Sequence, residues 1–229
     1  MKIAQTLLIN WICLLCLMGG FINTVSFLKY SFTISHFTGN ATRIAIDIAN
    51  HDMSIALKLF LIILAFTVGA TLAGYILDGR DFNLKKRYGY IFLILGSFLL
   101  FLYCFARNSE LFFYYLPFMM GVQNGLFITY KGVVLRTSHI TGTITDAGVY
   151  LGHILKGRFD EVWKLRLCFS LVIMFLLGGY IGIKLFMALQ DEVFIIIAFN
   201  YIIIAAIYFN FRERHLKILA LKEHESPFK

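Results

Sequence analysis

Two short polar phrases with nearly the same letters decide the architecture of this chain. The first is Ser35-His-Phe-Thr-Gly-Asn-Ala-Thr-Arg43, and the second is Ser138-His-Ile-Thr-Gly-Thr-Ile-Thr-Asp146. Both contain Ser-His-x-Thr-Gly with a further threonine, and both lie between long apolar stretches. A phrase that recurs at an offset of 103 residues indicates an internal duplication.

The stretches around the phrases have the composition of a membrane protein. Of the 229 residues, 59% are hydrophobic and only 15% are charged, and the mean hydropathy is +0.78. A soluble domain carries about 25% charged residues, and a helix needs roughly 20 apolar residues to cross a bilayer. We therefore predict an all-α integral membrane protein with six transmembrane helices, at the uncharged runs 3–28, 59–77, 88–106, 111–130, 167–183 and 193–211.

The first of these runs resembles a signal peptide, because Lys2 precedes it and Gly19 and Gly20 lie within it. The run nevertheless continues without charge to Leu28, and its later residues belong to the repeat. We therefore expect it to be retained as the first span.

The flanking sequences extend the duplication on both sides of the phrases. Upstream, the letters GFIN at 20–23 resemble GVQN at 121–124. Downstream, the pattern GxxxA at 69–73 resembles GxxxG at 178–182. Each copy therefore contains a span, a polar phrase and two further spans.

Three spans per copy is an odd number, so the second copy would insert upside down relative to the first. Inverted repeats of this kind are a recurring plan among secondary transporters. We predict two inverted three-span repeats, 1–106 and 107–211, each with a short polar-motif helix after its first span. Residues 212–229 then form a cytoplasmic basic tail that could touch anionic lipid.

The net charge of +8 would suggest nucleic acid in a soluble protein. Here the positive-inside rule explains it better, so we expect no nucleic-acid partner. With both termini cytoplasmic, 16 of the 21 lysines and arginines lie on the cytoplasmic side. The five that fall on the far side are Lys29, Arg43, Lys58, Arg107 and Lys184.

The two phrases with their upstream letters GFIN and GVQN resemble the YoaK family, over about residues 10–210. This family comprises bacterial six-span membrane proteins of unassigned function. The resemblance implies the six-span fold and a multi-pass location in the bacterial cytoplasmic (inner) membrane. It implies no substrate.

Each phrase contains residues that favour the start of a helix, namely Thr-Gly-Asn at 38–40 and Thr-Gly-Thr at 141–143. The polar residues that follow recur in steps of three and four, which indicates short amphipathic helices. Two interpretations remain open. The helices lie on the membrane surface with ordinary Thr and Asn caps, or they dip inward so that their N-terminal N–H groups line a cavity.

Arg43 and Asp146 are equivalent in the repeat and opposite in charge. We predict that they pair near the repeat axis, while alternatives for Arg43 are an anionic substrate or lipid phosphates. The histidines bind a metal, relay protons or hydrogen-bond a turn, and the span amides either join helices or contact substrate. The predicted substrate-binding residues are Asn23, His36, Thr38, Gly39, Asn40, Arg43, Asn124, His139, Thr141, Gly142, Thr143 and Asp146.

The leading functional hypothesis is secondary transport of a small polar or anionic molecule, with its site between the two repeats. Alternatives are a membrane enzyme acting on a lipid or isoprenoid head group, and a non-catalytic membrane subunit of a complex. We expect no enzymatic activity, metal or cofactor, because no nucleotide-binding motif, carboxylate pair or activated nucleophile is evident. The expected partners are the bilayer and a small-molecule ligand, and a homo-oligomer is compatible with the sequence. Glycines 69, 74, 178 and 182 are predicted to be close helix-packing sites.

Overall fold

The computed structural model describes residues 2–77, 85–126, 133 and 135–224. Two predictions fall partly outside the described residues. These are the end of the fourth span at 127–130 and three of the sixteen basic residues predicted to be cytoplasmic, Arg80, Lys131 and Lys229. The α-helices are α1 (Lys2–Tyr30), α2 (Phe37–Ala49), α3 (Met53–Ile76), α4 (Arg87–Ala106), α5 (Glu110–Gly125), α6 (Ile140–Leu155), α7 (Val162–Leu189) and α8 (Val193–His224). Short 3₁₀ turns at Phe159–Glu161 and Gln190–Glu192 precede α7 and α8.

Four segments of the described chain are long and apolar enough to cross a membrane: Leu8–Tyr30, Met53–Ile76, Arg87–Ala106 and Phe159–Arg214. The last of them contains α7 and the part of α8 up to Arg214. Helix α5 has only 16 residues, fewer than a bilayer requires. The all-α character is confirmed and the helices are those of a multi-pass membrane protein, while the number of six spans stays a prediction.

Six of the helices in the described chain pack in three pairs. Helix α1 packs mainly against α7, α3 against α5, and α4 against α8. The short helix α2 lies on α3, and the short helix α6 lies on α7. Few contacts join α1 to α5 directly. Each tight pair therefore combines a helix from the first half of the chain with a helix from the second half.

All three pairs come into close backbone contact at a glycine, and in the α4–α8 pair a Cβ on Gly96 would lie 2.6 Å from the carbonyl oxygen of Ala198. A Cβ on Gly178 would lie 1.8 Å from the carbonyl oxygen of Leu17, where α7 crosses α1. A Cβ on Gly121 would lie 2.0 Å from the carbonyl oxygen of Phe66, where α5 crosses α3. Since only glycine lacks a Cβ, these helices approach more closely than any other residue would allow.

The predicted packing glycines are confirmed at three of four positions. Gly69, Gly178 and Gly182 are buried against a neighbouring helix. The prediction is wrong for Gly74, because nothing lies within 4 Å of a Cβ built there. Gly74 lies on the side of α3 that faces away from the bundle. The sequence around it did not show which side of the helix it would occupy.

The bundle has two ends, which are named here by the position of the chain termini. The terminal end contains the first turns of α1, and there Trp11 packs edge-on against Tyr88 and donates a hydrogen bond to the Ile204 carbonyl at 3.4 Å. The distal end contains the end of α1, the α4–α5 turn and the α7–α8 connection, where Lys29 forms an ion pair with Asp191. This arrangement means that α2 runs toward the distal end and α6 runs toward the terminal end.

Candidate functional site

The first phrase begins in a loop that folds back along α1. The Oδ1 atom of Asn23 accepts hydrogen bonds from the Ile34 backbone N–H at 3.3 Å and from the Ser35 hydroxyl at 3.1 Å. The Nδ1 atom of His36 also lies 3.3 Å from this oxygen. Asn23 precedes the end of α1 at Tyr30 by a distance of roughly 10 Å at 1.5 Å per residue. The loop therefore returns from the distal end into the bundle, and the buried amide holds it there.

The second phrase is held in the same manner by the equivalent amide of α5. The Oδ1 atom of Asn124 accepts a hydrogen bond from the Ser138 N–H at 3.1 Å, and its Nδ2 atom donates to the Ser138 hydroxyl at 2.7 Å. Gln123 donates to the Thr137 hydroxyl at 2.7 Å and accepts from the Tyr201 hydroxyl at 2.5 Å. These buried groups satisfy one another, which makes the loop part of the protein interior.

Both loops reach the middle of the helices that they touch. The ring of His36 lies 6.0 Å from the ring of Phe175, which is near the middle of α7. The carbonyl oxygen of Thr137 lies 3.0 Å from a Cβ built on Gly19, near the middle of the Leu8–Tyr30 segment. Both loops therefore lie at mid-depth in the bundle.

Helices α2 and α6 begin at these loops, and within the described residues neither has a side-chain cap. The N-cap residues are His36 and His139, and their side chains accept no hydrogen bond from the first turn. Under the surface interpretation Thr and Asn were expected to cap these helices, and that expectation is wrong because Thr38 already lies inside α2. The first N–H groups of both helices are therefore left without a side-chain acceptor.

The threonines of the two phrases divide into two kinds. The hydroxyls of Thr42, Thr143 and Thr145 donate back to helix carbonyls four residues earlier, at 2.9–3.1 Å. Thr38 and Thr141 are exposed, and within the described chain their hydroxyls make no hydrogen bond. Only the latter two have hydroxyls that are available to another molecule.

Asn40 and the two phrase glycines have different surroundings. Asn40 is buried, and its amide donates to the Thr33 carbonyl and accepts from the Thr33 hydroxyl, both at 2.8 Å. A Cβ on Gly39 would meet nothing within 4 Å, whereas one on Gly142 would lie 2.7 Å from the His139 ring. Asn40 therefore fixes the loop, and Gly39 alone leaves open space beside the helix start.

The predicted ion pair between Arg43 and Asp146 is not present. Arg43 Nε instead donates to Asp47 Oδ1 at 3.2 Å, one turn along α2. Asp47 is 4% exposed, and its Oδ2 atom has no partner among the described residues. No hydrogen bond or ion pair within the described chain joins a predicted residue of the first phrase to one of the second.

The short helices bury some of their polar groups and expose some of their apolar groups. In α2, Asn40 and Asp47 are buried while Ile46 and Ile48 are about half exposed. In α6, Thr143 and Asp146 are half-buried, as are Tyr150 and His153, while Ile144 and Leu151 are exposed. In α2 the charged Arg43 is nevertheless exposed while Ile44 packs inward, so polar and apolar groups are not fully separated between the two faces of this helix.

One charged cluster was missed by the sequence analysis. Glu161 is buried at the start of α7, where it contacts His153 at 2.6 Å, Arg158 at 2.7 Å and Lys164 at 3.3 Å. The feature of the sequence that could have predicted this cluster was the high density of charged residues between 153 and 166. The cluster ties the α6–α7 connection together. In the part of the chain that the structure describes, no group of three or more His, Cys, Asp or Glu side chains could hold a metal ion.

These features define a multi-pass helical membrane protein with two polar loops fixed at mid-depth in its bundle. The model of the family described as "Protein of unknown function (DUF1275)" matches residues 11–207, and the chain belongs to that family. The match confirms the predicted resemblance to YoaK-like proteins. No curated protein and no solved structure matches the chain.

Proposed function

We propose that this protein is a secondary transporter of a small polar or anionic molecule, and that the starts of α2 and α6 contact the molecule. The observation that supports this most directly is the mid-depth position of the starts of α2 and α6, since within the described chain the lack of a side-chain cap is shared by α3, α4 and α7. Such a start carries free N–H donors and a partial positive charge, which together favour an anion or a polar group. Broken helices whose ends meet near the midplane are typical of transporter sites.

The arrangement of the helices supports the proposal that the halves are inverted repeats. If α1 corresponds to α5 and α3 to α7, then the α1–α7 pair and the α5–α3 pair are equivalent. Both crossings use a glycine against a carbonyl oxygen, at Gly178 with Leu17 and at Gly69 with Phe118. Gly178 follows Gly69 by 109 residues and Phe118 follows Leu17 by 101, close to the offset of the phrases. The α4–α8 pair maps onto itself and lies on the axis.

This packing also suggests which parts would move. Helices α1, α6 and α7 form one closely packed group, and α2, α3 and α5 form another. The α4–α8 pair contacts both groups, while direct contact between the groups is sparse. Rocking the two groups against the α4–α8 pair would expose the phrases to each end in turn, as alternating access requires.

The proposed setting is the bacterial cytoplasmic membrane, with both chain termini in the cytoplasm. The bias of Lys and Arg toward the terminal end supports this orientation. The Lys85–Arg87 turn and the basic residues of α8 beyond Phe211 belong to that end. The distal end would then face the outside of the cell.

The test compares threonines whose hydroxyls are free with threonines whose hydroxyls bond to their own helix. Thr38→Val and Thr141→Val remove hydroxyls that the proposal places beside substrate. Each change should weaken substrate binding by about 1 kcal/mol, or up to about 3 kcal/mol if a buried partner is left unpaired. Thr42→Val and Thr145→Val are the matched controls, because their hydroxyls already bond to Thr38 and Thr141 carbonyls.

The assay is uptake into proteoliposomes of labelled phosphate, sulfate, succinate and glutamate, with an imposed ion gradient. We expect saturable uptake of at least one of these, a raised KM in the first two variants and a wild-type KM in the controls. If all four variants transported equally well, the phrases would be only helix starts and the proposal would be wrong.

A further inference from the structure

The distal end contains a cavity that is separate from the two phrases. Its volume is about 400 Å³, and it lies where the end of α1, the first turns of α3 and the α4–α5 turn meet. Lys29, Lys58 and Arg107 line it, together with Glu110 and the aromatic rings of Tyr30 and Phe113. A volume of this size lies within the range of small-molecule sites in proteins.

The positive charge in this cavity exceeds what the protein neutralises. Lys29 is paired with Asp191, and its ammonium also lies 5.4 Å from the ring centre of Phe194. Lys58 and Arg107 are exposed, and in the described chain neither forms an ion pair. Arg107 lies 5.8 Å from the ring centre of Tyr103, a contact that restricts the guanidinium without cancelling its charge. Among the residues that line the cavity, the single carboxylate of Glu110 does not balance the two positive charges of Lys58 and Arg107.

The location of these cations makes their convergence informative. Cationic residues are disfavoured near the outer ends of transmembrane helices, and only five occur on that side in the proposed orientation. Three of the five line this one cavity, although Lys29, Lys58 and Arg107 are far apart in sequence. Flexible lysines that only reached toward lipid phosphates would have no reason to share a concave site.

We propose that this cavity, the distal basic cavity, binds a ligand that carries a phosphate or carboxylate group. Lys58 and Arg107 would hold the anionic group with charge-assisted hydrogen bonds, and the Arg107 fork suits a bidentate contact. The rings of Tyr30 and Phe113 would contact the remainder of the ligand. The cavity is independent of the phrases, so its ligand binding does not require that the protein transports anything.

The test uses the full-length protein, purified in detergent and stripped of phospholipid. Inorganic phosphate and phenyl phosphate are titrated by calorimetry in a buffer of constant ionic strength. A second arm measures the thermal stability of the protein in nanodiscs of phosphatidylcholine, with and without phosphatidylglycerol. The first arm reports a soluble anion, and the second reports a lipid head group with the same chemistry.

The variants are Lys58→Gln and Arg107→Gln, both at exposed positions where folding tolerates the change. Lys184→Gln is the matched control, because Lys184 is an exposed basic residue that contacts Tyr180 and does not line the cavity. We expect each cavity variant to lose about tenfold in affinity for the probe that binds. The control should bind like the wild type. Lys58→Arg keeps the positive charge and should also bind like the wild type.

Saturable binding of phosphate or phenyl phosphate with this pattern supports a site for a soluble anion. Stabilisation only by phosphatidylglycerol, with the same pattern, supports a lipid head-group site. The proposal is overturned if no probe binds the folded protein. It is equally overturned if Lys184→Gln weakens binding as much as the cavity variants, because the effect would then arise from general surface charge.

Discussion

Replacing Gly178 by alanine tests how closely α7 approaches α1. The new Cβ would lie 1.8 Å from the Leu17 carbonyl oxygen, and an ordinary contact begins at 3.4 Å. The obstacle is backbone, so no side chain can rotate out of the way and the two helices must separate. Overpacking of this kind costs about 1–3 kcal/mol. We expect a cost near the upper limit of this range, because the distance from the new Cβ to the Leu17 carbonyl oxygen has to nearly double.

Alanine also favours a helix over glycine by about 1 kcal/mol. The net expected loss for Gly178→Ala is therefore about 2 kcal/mol in the free energy of unfolding. Gly74→Ala is the matched control, since it gains the same helix propensity and meets nothing within 4 Å. It should leave stability unchanged or raise it by up to about 1 kcal/mol.

The assay is reversible unfolding in mixed micelles by titration with sodium dodecyl sulfate, followed by circular dichroism. The inverted-repeat proposal adds a second expectation, because Gly69 faces the Phe118 carbonyl oxygen as Gly178 faces that of Leu17. Gly69→Ala should therefore cost a similar amount. If Gly178→Ala were as stable as Gly74→Ala, the proposed backbone contact between α1 and α7 would be refuted.

Two further predictions concern the orientation of the chain and the partner of Arg43. Reporter fusions after Lys86 and after Asp191 should report opposite sides of the membrane, with Lys86 cytoplasmic, and a shared side would contradict the proposed topology. A double-mutant cycle between Arg43 and Asp47 should give a coupling of about 0.5 kcal/mol, as expected for helical pairs one turn apart. The cycle between Arg43 and Asp146 should give none, and a clear coupling there would show that the two residues meet in a state that the structure does not represent.

The sequence determined those features that depend on local composition and on repetition. The uncharged runs predicted apolar helices because a bilayer demands about 20 such residues in succession. The recurring phrases indicated a duplication, and the Thr-Gly letters indicated short helices near 37 and 140, where α2 and α6 do begin. Asn23 and Asn124 were recognised as equivalent, and both hold the loop of the phrase that follows them.

Only the tertiary structure decided what these residues contact. Arg43 and Asp146 occupy equivalent positions in sequence, yet Arg43 meets Asp47 because that carboxylate lies one turn away on its own helix. The pattern of threonines did not distinguish the free hydroxyl of Thr38 from that of Thr42, which bonds to its own helix.

The depth of the two loops and the meeting of basic residues in the distal basic cavity also lay beyond the sequence. Both depend on where helices far apart in the chain cross, and the crossings are set by glycines such as Gly121 and Gly178 that meet the backbone of another helix. Hydrophobic patterning specifies that a helix is buried in a bilayer, but close packing between helices selects its neighbours, and that selection places the polar groups.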